Sequence, residues 1–455
     1  MKFDLQKLRD HYDAGNTLDY ASRLKSLRAL LRMVMENEEA IYSALYSDLK
    51  KSKEESWSTE TGQVVEEIKY ALRHLRSWMK PKKVATGLVS FPSSGAIYHD
   101  PLGVVLIIAP WNYPLQLLLV PLAGALAAGN CVVLKPSESA PATEALVAEM
   151  IQKTFSPGLV KVVSGDGAEV VPAMMREFRF DHIFYTGSNR TGKEIYKMAA
   201  EQLIPVTLEL GGKSPCIVEK DADITVTAKR IVFGKFLNAG QTCIAPDYVL
   251  VHHSVKDRLL SEMREAIGQF YTSDAAASDE YGKIINRSRF DALNRYLAGS
   301  TIYCGGKTDA GRLYIEPTIL TPVSMESEIM NEEIFGPILP VISFETTDEA
   351  IAIVNRNSHP LSLYLFTKDK NVGHKWLTTV AFGNGCINDC LLQFANKNMP
   401  FGGIGSSGIG AYHGKYSFDL FTHKKPVLRA SLKMDPSFKY PPFKGKLKWV
   451  KKLIG

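Results

Sequence analysis

Hydrophobic side chains near the start of the chain recur at spacings of three and four residues, the period of an amphipathic helix. The repeat consists of Leu18, Ala21, Leu24, Leu27, Leu30, Leu31 and Val34. It predicts one helix over residues 17–49, and a similar pattern predicts a second helix over residues 58–79 that stops at Pro81. Residues 86–99 lose this period and contain Gly87, Pro92 and Gly95, which indicates a hairpin or a projecting arm.

From Gly103 onward, short apolar runs alternate with stretches of helical pattern. The apolar runs before Gly211 are residues 103–109, 131–134, 160–163, 182–185 and 206–208. The helical stretches between them are residues 113–128, 140–155, 168–176 and 190–200. Further apolar runs follow at residues 216–218, 248–252, 338–342, 363–366 and 385–387. This alternation predicts an α/β fold with parallel sheet covered on both faces, in two units that meet near residues 210–212.

The composition is that of a folded globular protein, since 45 % of the 455 residues are hydrophobic and 22 % are charged. Six cysteines are too few for a disulfide scaffold, and the lack of a Cys-x-x-Cys pair argues against a zinc site. Residues 1–7 contain no apolar signal core, and no run of about 18 uninterrupted apolar residues occurs. We therefore expect a cytoplasmic protein with free thiols and no bound metal.

The net charge of +6 is concentrated at the C-terminal end. Residues 424–455 contain ten lysines and arginines and one aspartate, a charge of +9, so the rest of the chain carries −3. The body of the protein is therefore not a nucleic-acid binder by charge. If the tail is helical, Leu447, Val450 and Ile454 share one face among lysines, which permits contact with an anionic membrane surface. A basic terminus that packs on a partner subunit is the favoured alternative.

Cys243 is the strongest candidate for a nucleophile. It follows Gly240, which we expect to end a helix over residues 222–237, so the thiol is predicted to lie on an accessible loop. A cysteine thiolate is an effective nucleophile when it can be reached. The alternative for any single cysteine is a small buried hydrophobe, and we favour that interpretation for the other five.

Two further polar residues follow predicted strands. Glu209 ends the run 206–208 and precedes two glycines, where burial would raise the pKa of its carboxyl and fit it for general base catalysis. The alternative is a strand-end carboxylate that faces solvent or Lys213. Asn112 follows the run 103–109 and could donate to an oxyanion, the alternative being a helix N-cap.

A nucleotide site is indicated by the segment 185–192, which follows a strand and opens a helix. Its glycines, Gly187 and Gly192, have the spacing Gly-x-x-x-x-Gly rather than the usual Gly-x-Gly-x-x-Gly. The literal Gly-x-Gly-x-x-Gly string, residues 403–408, follows no predicted strand and is interpreted as a turn. Lys135 and Glu138 follow the run 131–134 and could hold ribose hydroxyls, the alternative being two exposed loop charges.

Six motifs in one order give a more specific picture than any of them alone. They are Pro-Trp-Asn-Tyr-Pro, Lys-Pro-Ser-Glu, Thr-Gly-Ser-x-x-x-Gly, Leu-Glu-Leu-Gly-Gly-Lys, Gly-Gln-x-Cys and Glu-Glu-Ile-Phe-Gly-Pro. Together they resemble the NAD(P)-dependent aldehyde dehydrogenase superfamily over residues 4–425. The string at residues 400–415 resembles its class 3 branch, which acts on fatty and aromatic aldehydes.

This resemblance implies a role for each motif residue. Cys243 would add to the aldehyde, the amide of Asn112 and the backbone N–H of Cys243 would hold the oxyanion, and Glu209 would activate water against the thioester. Transfer of the acyl group to coenzyme A instead is disfavoured, because relatives that do so lack the base at Glu209. The implied cofactor residues are Lys135, Glu138, Thr186, Gly187, Ser188, Gly192, Gly211, Glu333 and Phe335. An acid such as Glu138 beside the adenosine ribose favours NAD, with NADP as the alternative.

The resemblance also implies an architecture. A Rossmann-like cofactor domain would comprise residues 1–85 and 100–208, and an α/β catalytic domain residues 209–390. Residues 86–99 and 391–425 would form a small β oligomerisation element of a homodimer, followed by a basic tail over residues 426–455. Apolar residues at Tyr113, Leu117, Leu391 and Phe394 suggest an aliphatic medium- or long-chain, or an aromatic, aldehyde as substrate.

Overall fold

A computed structural model describes residues 3–272, 274–357, 359–435 and 437–454. Residues 1 and 2, at the start of the predicted cofactor domain, and residue 455, at the end of the predicted basic tail, lie outside the described residues. The helices are α1 Gln6–Asp13, α2 Tyr20–Glu36, α3 Glu38–Leu49, α4 Lys53–Ser56, α5 Gly62–Trp78, α6 Gln116–Ala128, α7 Pro141–Thr154, α8 Gly167–Glu177, α9 Asn189–Glu201, α10 Ile224–Phe236, α11 Lys256–Tyr271, α12 Arg287–Leu297, α13 Glu328–Asn331, α14 Thr347–Arg356, α15 Lys370–Thr379, α16 Lys415–Leu420 and α17 Leu447–Ile454. The strands are β1 Lys82–Val84, β2 Ser93–Pro101, β3 Val104–Ile108, β4 Cys131–Lys135, β5 Val160–Val162, β6 His182–Thr186, β7 Val206–Glu209, β8 Pro215–Val218, β9 Tyr248–His252, β10 Ile302–Cys304, β11 Thr308–Asp309, β12 Tyr314–Ile315, β13 Thr318–Leu320, β14 Ile338–Phe344, β15 Ser362–Phe366, β16 Asn384–Ile387, β17 Gly408–Ile409 and β18 Thr422–Ala430.

A six-stranded sheet in the order β17-β7-β6-β3-β4-β5 forms the first α/β unit, parallel except for β17. Alternate residues of β3 face opposite sides: Val105 and Ile107 pack into one core, Val104 and Leu106 into the other. The predicted parallel sheet covered on both faces is thus confirmed. The chain reverses its direction of sheet growth beside β3, and α/β sheets bind ligands at the carboxyl ends of the strands next to such a reversal.

The second unit is a seven-stranded sheet in the order β10-β13-β14-β9-β8-β15-β16, parallel except for β10. Helix α10 packs beside α11 on this sheet, and the loop between α10 and β9 carries Cys243. Ten strands of the two units lie where the apolar runs predicted them, with ends that differ by a few residues, whereas β10, β13 and β17 were not predicted.

A third, antiparallel sheet in the order β1-β2-β18 contains the predicted arm. Strand β18 continues to Ala430, so the first five residues of the predicted basic tail belong to this sheet. Further on, α17 packs against the turn Leu88–Ser90 and leaves Leu447 and Trp449 exposed. The side chain of Ile454 lies outside the described part. Among the described residues, every helix is too short or too polar to cross a bilayer.

Two helix predictions need correction. The helix predicted over residues 17–49 is divided into α2 and α3 at Asn37, whose φ of −111° and ψ of 20° are not helical. The Asn37 amide donates to the carbonyl of Met33, a local bond that competes with helix continuation. The helix predicted over residues 58–79 begins earlier, at α4, and passes through a π-helical turn, Trp57–Thr61, before α5.

Candidate active site

The loop that carries Cys243 is held in an unusual backbone conformation. Helix α10 spans Ile224–Phe236, within one or two residues of the predicted 222–237, and the chain then leaves the helix through Asn238 and Ala239, which adopt φ values of 53° and 52°. Gly240 follows with φ 72°, and a Cβ there would lie 2.3 Å from the carbonyl oxygen of Gly336. Only glycine permits this approach, which turns the chain so that Cys243 faces the crevice between the two sheets.

Asn112 is tied directly to this loop. Its side-chain Nδ2 donates to the carbonyl of Gln241 at 3.0 Å, which leaves its second N–H free for another acceptor. The carbonyl of Asn112 accepts from Asn238 Nδ2 at 2.8 Å and from Lys51 Nζ at 3.0 Å. The helix-cap alternative is wrong, because α6 begins at Gln116 and its N-cap position is Leu115.

A buried ion pair, Lys51–Glu60, contacts Asn112 through its backbone carbonyl. Lys51 and Glu60 are joined at 2.6 Å between Nζ and Oε1, and neither side chain has any exposed surface. The other carboxylate oxygen of Glu60 accepts the backbone N–H groups of Leu115 and Gln116 at 2.9 and 3.1 Å. The pair therefore fixes the start of α6 and the Asn112 carbonyl together. The sequence pattern gave no signal for it, since both residues lie in polar stretches.

Glu209 ends β7 in a buried position, 3 % exposed, and neither carboxylate oxygen has a hydrogen-bond partner. Burial raises its pKa well above the ordinary value. The alternative contact with Lys213 is excluded, because that ammonium binds Asp247 at 2.5 Å and two backbone carbonyls. Burial also raises the pKa of the Cys243 thiol, with smaller contributions from the Glu333 and Glu209 charges.

Two cavities meet at Cys243 and Glu209. The smaller has a volume of about 180 Å³ and a mainly apolar lining that includes Leu117, Phe233, Leu391, Phe394 and Phe401. The larger has a volume of about 760 Å³ and extends along the carboxyl ends of β3, β4, β6 and β7. The residues that line both are Leu117, Thr186, Glu209, Leu210 and Cys243.

The larger cavity collects most of the predicted cofactor residues. Those in its lining are Lys135, Glu138, Thr186, Gly187, Ser188, Gly211, Glu333 and Phe335, together with Asn112. Lys135 is not an exposed loop charge but a buried side chain that binds Glu138 at 2.9 Å. Gly192 is not in the lining; a Cβ there would meet the side chain of Leu210 at 2.7 Å, so it allows α9 to pack closely on β7.

The lining fits a dinucleotide. The first turn of α9 lines the cavity through Arg190 and Thr191, and a helix N-terminus is a favourable place for a pyrophosphate; Ser188 caps this helix through Thr191 N at 3.3 Å. Gly211 and Glu333 also line this cavity. A Cβ on Gly211 would lie 1.9 Å from Glu333 Oε2, so the Glu333 carboxylate occupies the space that a side chain at position 211 would take. Burial and then the Asp247 charge raise the pKa of Glu333 to about 8.

The segment that carries Glu333 is fixed by a second buried ion pair that sequence reasoning missed. Lys213 Nζ donates to the carbonyl of Glu332 at 2.9 Å while it binds Asp247, and Asp247 accepts the N–H of Ile334 at 2.9 Å. The Leu-Glu-Leu-Gly-Gly-Lys motif contained Lys213, but its partner lies 34 residues away in sequence.

The sequence profile of the aldehyde dehydrogenase family matches residues 6–427. The chain belongs to this family. It is 45 % identical over 442 residues to 4,4'-diaponeurosporen-aldehyde dehydrogenase of Staphylococcus aureus, covering 97 % of this chain and 96 % of that protein. It is 43 % identical to human aldehyde dehydrogenase family 3 member B1, covering 96 % and 94 % of the two chains. The resemblance to the class 3 branch is thus confirmed, and this aldehyde dehydrogenase oxidises aldehydes.

Solved structures agree with this assignment. The substrate-bound state of Staphylococcus aureus AldH superimposes with a TM-score of 0.98 at 43 % identity, covering 100 % of both chains. An aldehyde dehydrogenase from Bacillus cereus in complex with NAD⁺ gives 0.85 at 28 % identity, covering 94 % and 88 %. A glyceraldehyde-3-phosphate dehydrogenase from Methanocaldococcus jannaschii complexed with NADP gives 0.84 at 26 %, covering 94 % and 93 %.

Proposed function

We propose that this enzyme oxidises apolar aldehydes to carboxylic acids with NAD, through a covalent thioester on Cys243. The observation that carries the proposal is that Cys243 and Glu209 form the common wall of an apolar cavity and a nucleotide-sized one. A thiol at such a boundary can bind the aldehyde from one side and present it to a nicotinamide on the other.

The chain's own groups divide the reaction among them. The Cys243 thiol loses its proton to solvent as its sulfur attacks the carbonyl carbon, and the developing oxyanion accepts hydrogen bonds from the free N–H of the Asn112 amide and the backbone N–H of Cys243. One such donor is worth about 3–4 kcal/mol in the transition state. NAD held by the residues of the larger cavity would supply the hydride acceptor for oxidation of the thiohemiacetal to a thioester.

Glu209 then accepts a proton from a water molecule whose oxygen attacks the thioester carbonyl. The carbon–sulfur bond breaks, the carboxylic acid is released, and the proton on Glu209 returns to the sulfur. The raised pKa of Glu209 makes it a stronger base than an exposed glutamate once it is ionised, which suits this role.

The cofactor-binding residues favour NAD. Lys135, Glu138, the start of α9, Gly211, Glu333 and Phe335 line the cavity that would hold it. A carboxylate at Glu138 repels the additional phosphate of NADP, although Lys135 partly neutralises it at 2.9 Å. Relatives of the same fold are solved with either nucleotide, so NADP remains an alternative.

The substrate cavity indicates the class of aldehyde. Tyr113, Leu117, Leu391 and Phe394, the residues whose apolar character suggested a greasy substrate, all line it. Its volume of about 180 Å³ resembles that of apolar cavities of ~150 Å³ that bind benzene. We propose an aliphatic medium- or long-chain, or an aromatic, aldehyde as the substrate.

We also propose that the enzyme is a homodimer with a cofactor domain, a catalytic domain and the β1-β2-β18 sheet as its oligomerisation element. Strand β18 is nine residues long, exposed from His423 to Ala430, and unpaired along its outer edge within the described residues. A long free edge of this kind is a ready surface for pairing with a second chain.

The experiment that tests the mechanism replaces the thiol. Cys243→Ala should abolish the absorbance of NADH formed from NAD and an aldehyde, while quenching of the Trp111 fluorescence by NAD stays intact because Trp111 lines the nucleotide cavity. Cys304→Ala is the matched control, since that half-buried thiol lines neither cavity. Turnover by Cys243→Ala, or its loss in the Cys304 variant alone, would contradict the assignment.

A further inference from the structure

The otherwise apolar smaller cavity contains a group of buried polar side chains. Gln116 Nε2, Thr186 Oγ1, Tyr412 OH and both oxygens of Glu209 are buried atoms without a hydrogen-bond partner. All four residues line this cavity and are at most 7 % exposed. Buried polar atoms are normally paired, because leaving one without a partner destabilises the fold. Their convergence on one cavity marks a site for a small polar ligand.

The four side chains lie near one another and near the nucleophile. The Gln116 amide lies beside the Tyr412 hydroxyl, and the charges of Glu209 and Cys243 add to burial in raising the pKa of Tyr412. The phenol is therefore neutral and can donate its proton in a hydrogen bond. Thr186 ends β6 directly beside Glu209, its register partner at the end of β7.

Each member of the group is held by its own rigid contacts. The backbone N–H of Gln116 is bound by the buried Glu60 carboxylate at 3.1 Å. Tyr412 exchanges backbone hydrogen bonds of 2.8 and 3.0 Å with Phe401, and its ring packs edge-on against Phe184 at 5.1 Å. The site is thus built from three separate segments that cannot move freely relative to one another.

We propose that Gln116, Thr186 and Tyr412, together with Glu209, bind the water molecule that hydrolyses the thioester; this rests on the proposed function. The water donates one hydrogen bond to Glu209 and accepts one from the Tyr412 hydroxyl or the Gln116 amide. Its remaining lone pair attacks the carbonyl carbon. The water loses one proton to Glu209, the carbon–sulfur bond breaks, and the sulfur regains that proton. Two to four polar partners are what a buried water requires.

Tyr412 and Gln116, which line only the smaller cavity, are then positioning residues for the second half of the reaction only, whereas Thr186 also lines the nucleotide cavity. Tyr412→Phe should lower kcat at least tenfold while kcat/KM for the aldehyde stays within twofold, because kcat/KM reports the steps up to the thioester. The first turnover should still give one NADH per site at the normal rate. Intact-mass analysis of the reacting enzyme should show the acyl group accumulating on the chain.

Tyr248→Phe is the matched control, because its hydroxyl is also buried and unpaired but Tyr248 lines neither cavity. It should leave kcat, the first turnover and the acyl-enzyme level unchanged. If Tyr412→Phe fails to fold, judged by circular dichroism, Gln116→Met takes its place with the same expected kcat loss.

The outcomes separate this proposal from the proposed function. A normal kcat in Tyr412→Phe and Gln116→Met would show that these groups bind no catalytic water, although the enzyme remains a dehydrogenase. Loss of the first-turnover NADH in Tyr412→Phe would overturn the proposal by placing the hydroxyl in the first half of the reaction. Absence of NADH formation in the wild-type enzyme with every aldehyde would instead refute the proposed function itself.

Discussion

Lys51→Met should destabilise the enzyme strongly, because it leaves the Glu60 carboxylate charged and fully buried without its cation. Breaking a buried pair by removing one partner costs about 3–5 kcal/mol, a large part of the ~5–15 kcal/mol that typically stabilises a fold. Lys53→Met is a matched control. The Lys53–Glu39 pair has the same separation of 2.6 Å, but its side chains are 61 % and 75 % exposed. Its removal should cost at most about 1 kcal/mol.

A double-mutant cycle isolates the interaction. Combining Lys51→Met with Glu60→Gln removes both charges, so the double variant should be more stable than the sum of the single losses predicts, by roughly 2–3 kcal/mol. Urea unfolding measures each variant. The rate of first-turnover NADH formation should fall in Lys51→Met by up to ~10²-fold, because the Asn112 carbonyl loses one of its two donors and the oxyanion donor shifts. Additive losses, or equal costs for the Lys51 and Lys53 variants, would refute this reasoning.

Three further predictions follow from buried carboxylates and a bare glycine. Glu209→Gln should release one NADH per site and then stall, and the absence of that burst would place Glu209 before the thioester. Burial raises the pKa of Glu55 from 4.5 to about 7, so the folded state holds its proton longer and stability falls as pH rises through that range. Glu55→Gln lacks this dependence and should gain about 3 kcal/mol relative to wild type between those pH values, measured by urea unfolding; parallel curves would contradict it. Gly211→Ala should weaken NAD binding at least tenfold in a fluorescence titration, because its Cβ displaces the Glu333 carboxylate 1.9 Å away. Gly268→Ala, which meets nothing within 4 Å, should bind normally, and equal affinities would refute the fit.

The strands and the main site residues could be predicted because their signals are local. A continuous apolar run marks a strand buried on both faces; Glu209 is the last residue of one such strand, and Asn112 lies in the loop that follows another. The helix break at Asn37 was missed because the hydrophobic periodicity continues across it. The feature that accompanies the break is a single side-chain hydrogen bond, from the Asn37 amide to the Met33 carbonyl, which the periodicity does not show.

The supporting residues could not be predicted because their meaning comes from packing between distant segments. In the sequence, Lys51 and Glu60 resemble ordinary surface charges. Only the fold shows that they are buried against the segment that leads into α6. Tyr412 lies in a string that the sequence connects only with family membership, and its role depends on the fold that brings it beside Gln116 and Glu209. Similarly, the sequence does not show that Asp247 forms a buried ion pair with Lys213, because the two residues come together only in the folded chain.

The residues between 391 and 401 that line a cavity line only the smaller one, where we place the aldehyde. Lys135, Glu138 and Phe335 line only the larger one, where we place the nucleotide. Selectivity for chain length or ring size can therefore diverge without any cost to nucleotide recognition. Randomised libraries restricted to Leu391, Leu392, Phe394, Ala395 and Phe401 should yield enzymes with new aldehyde preferences and a constant affinity for the dinucleotide.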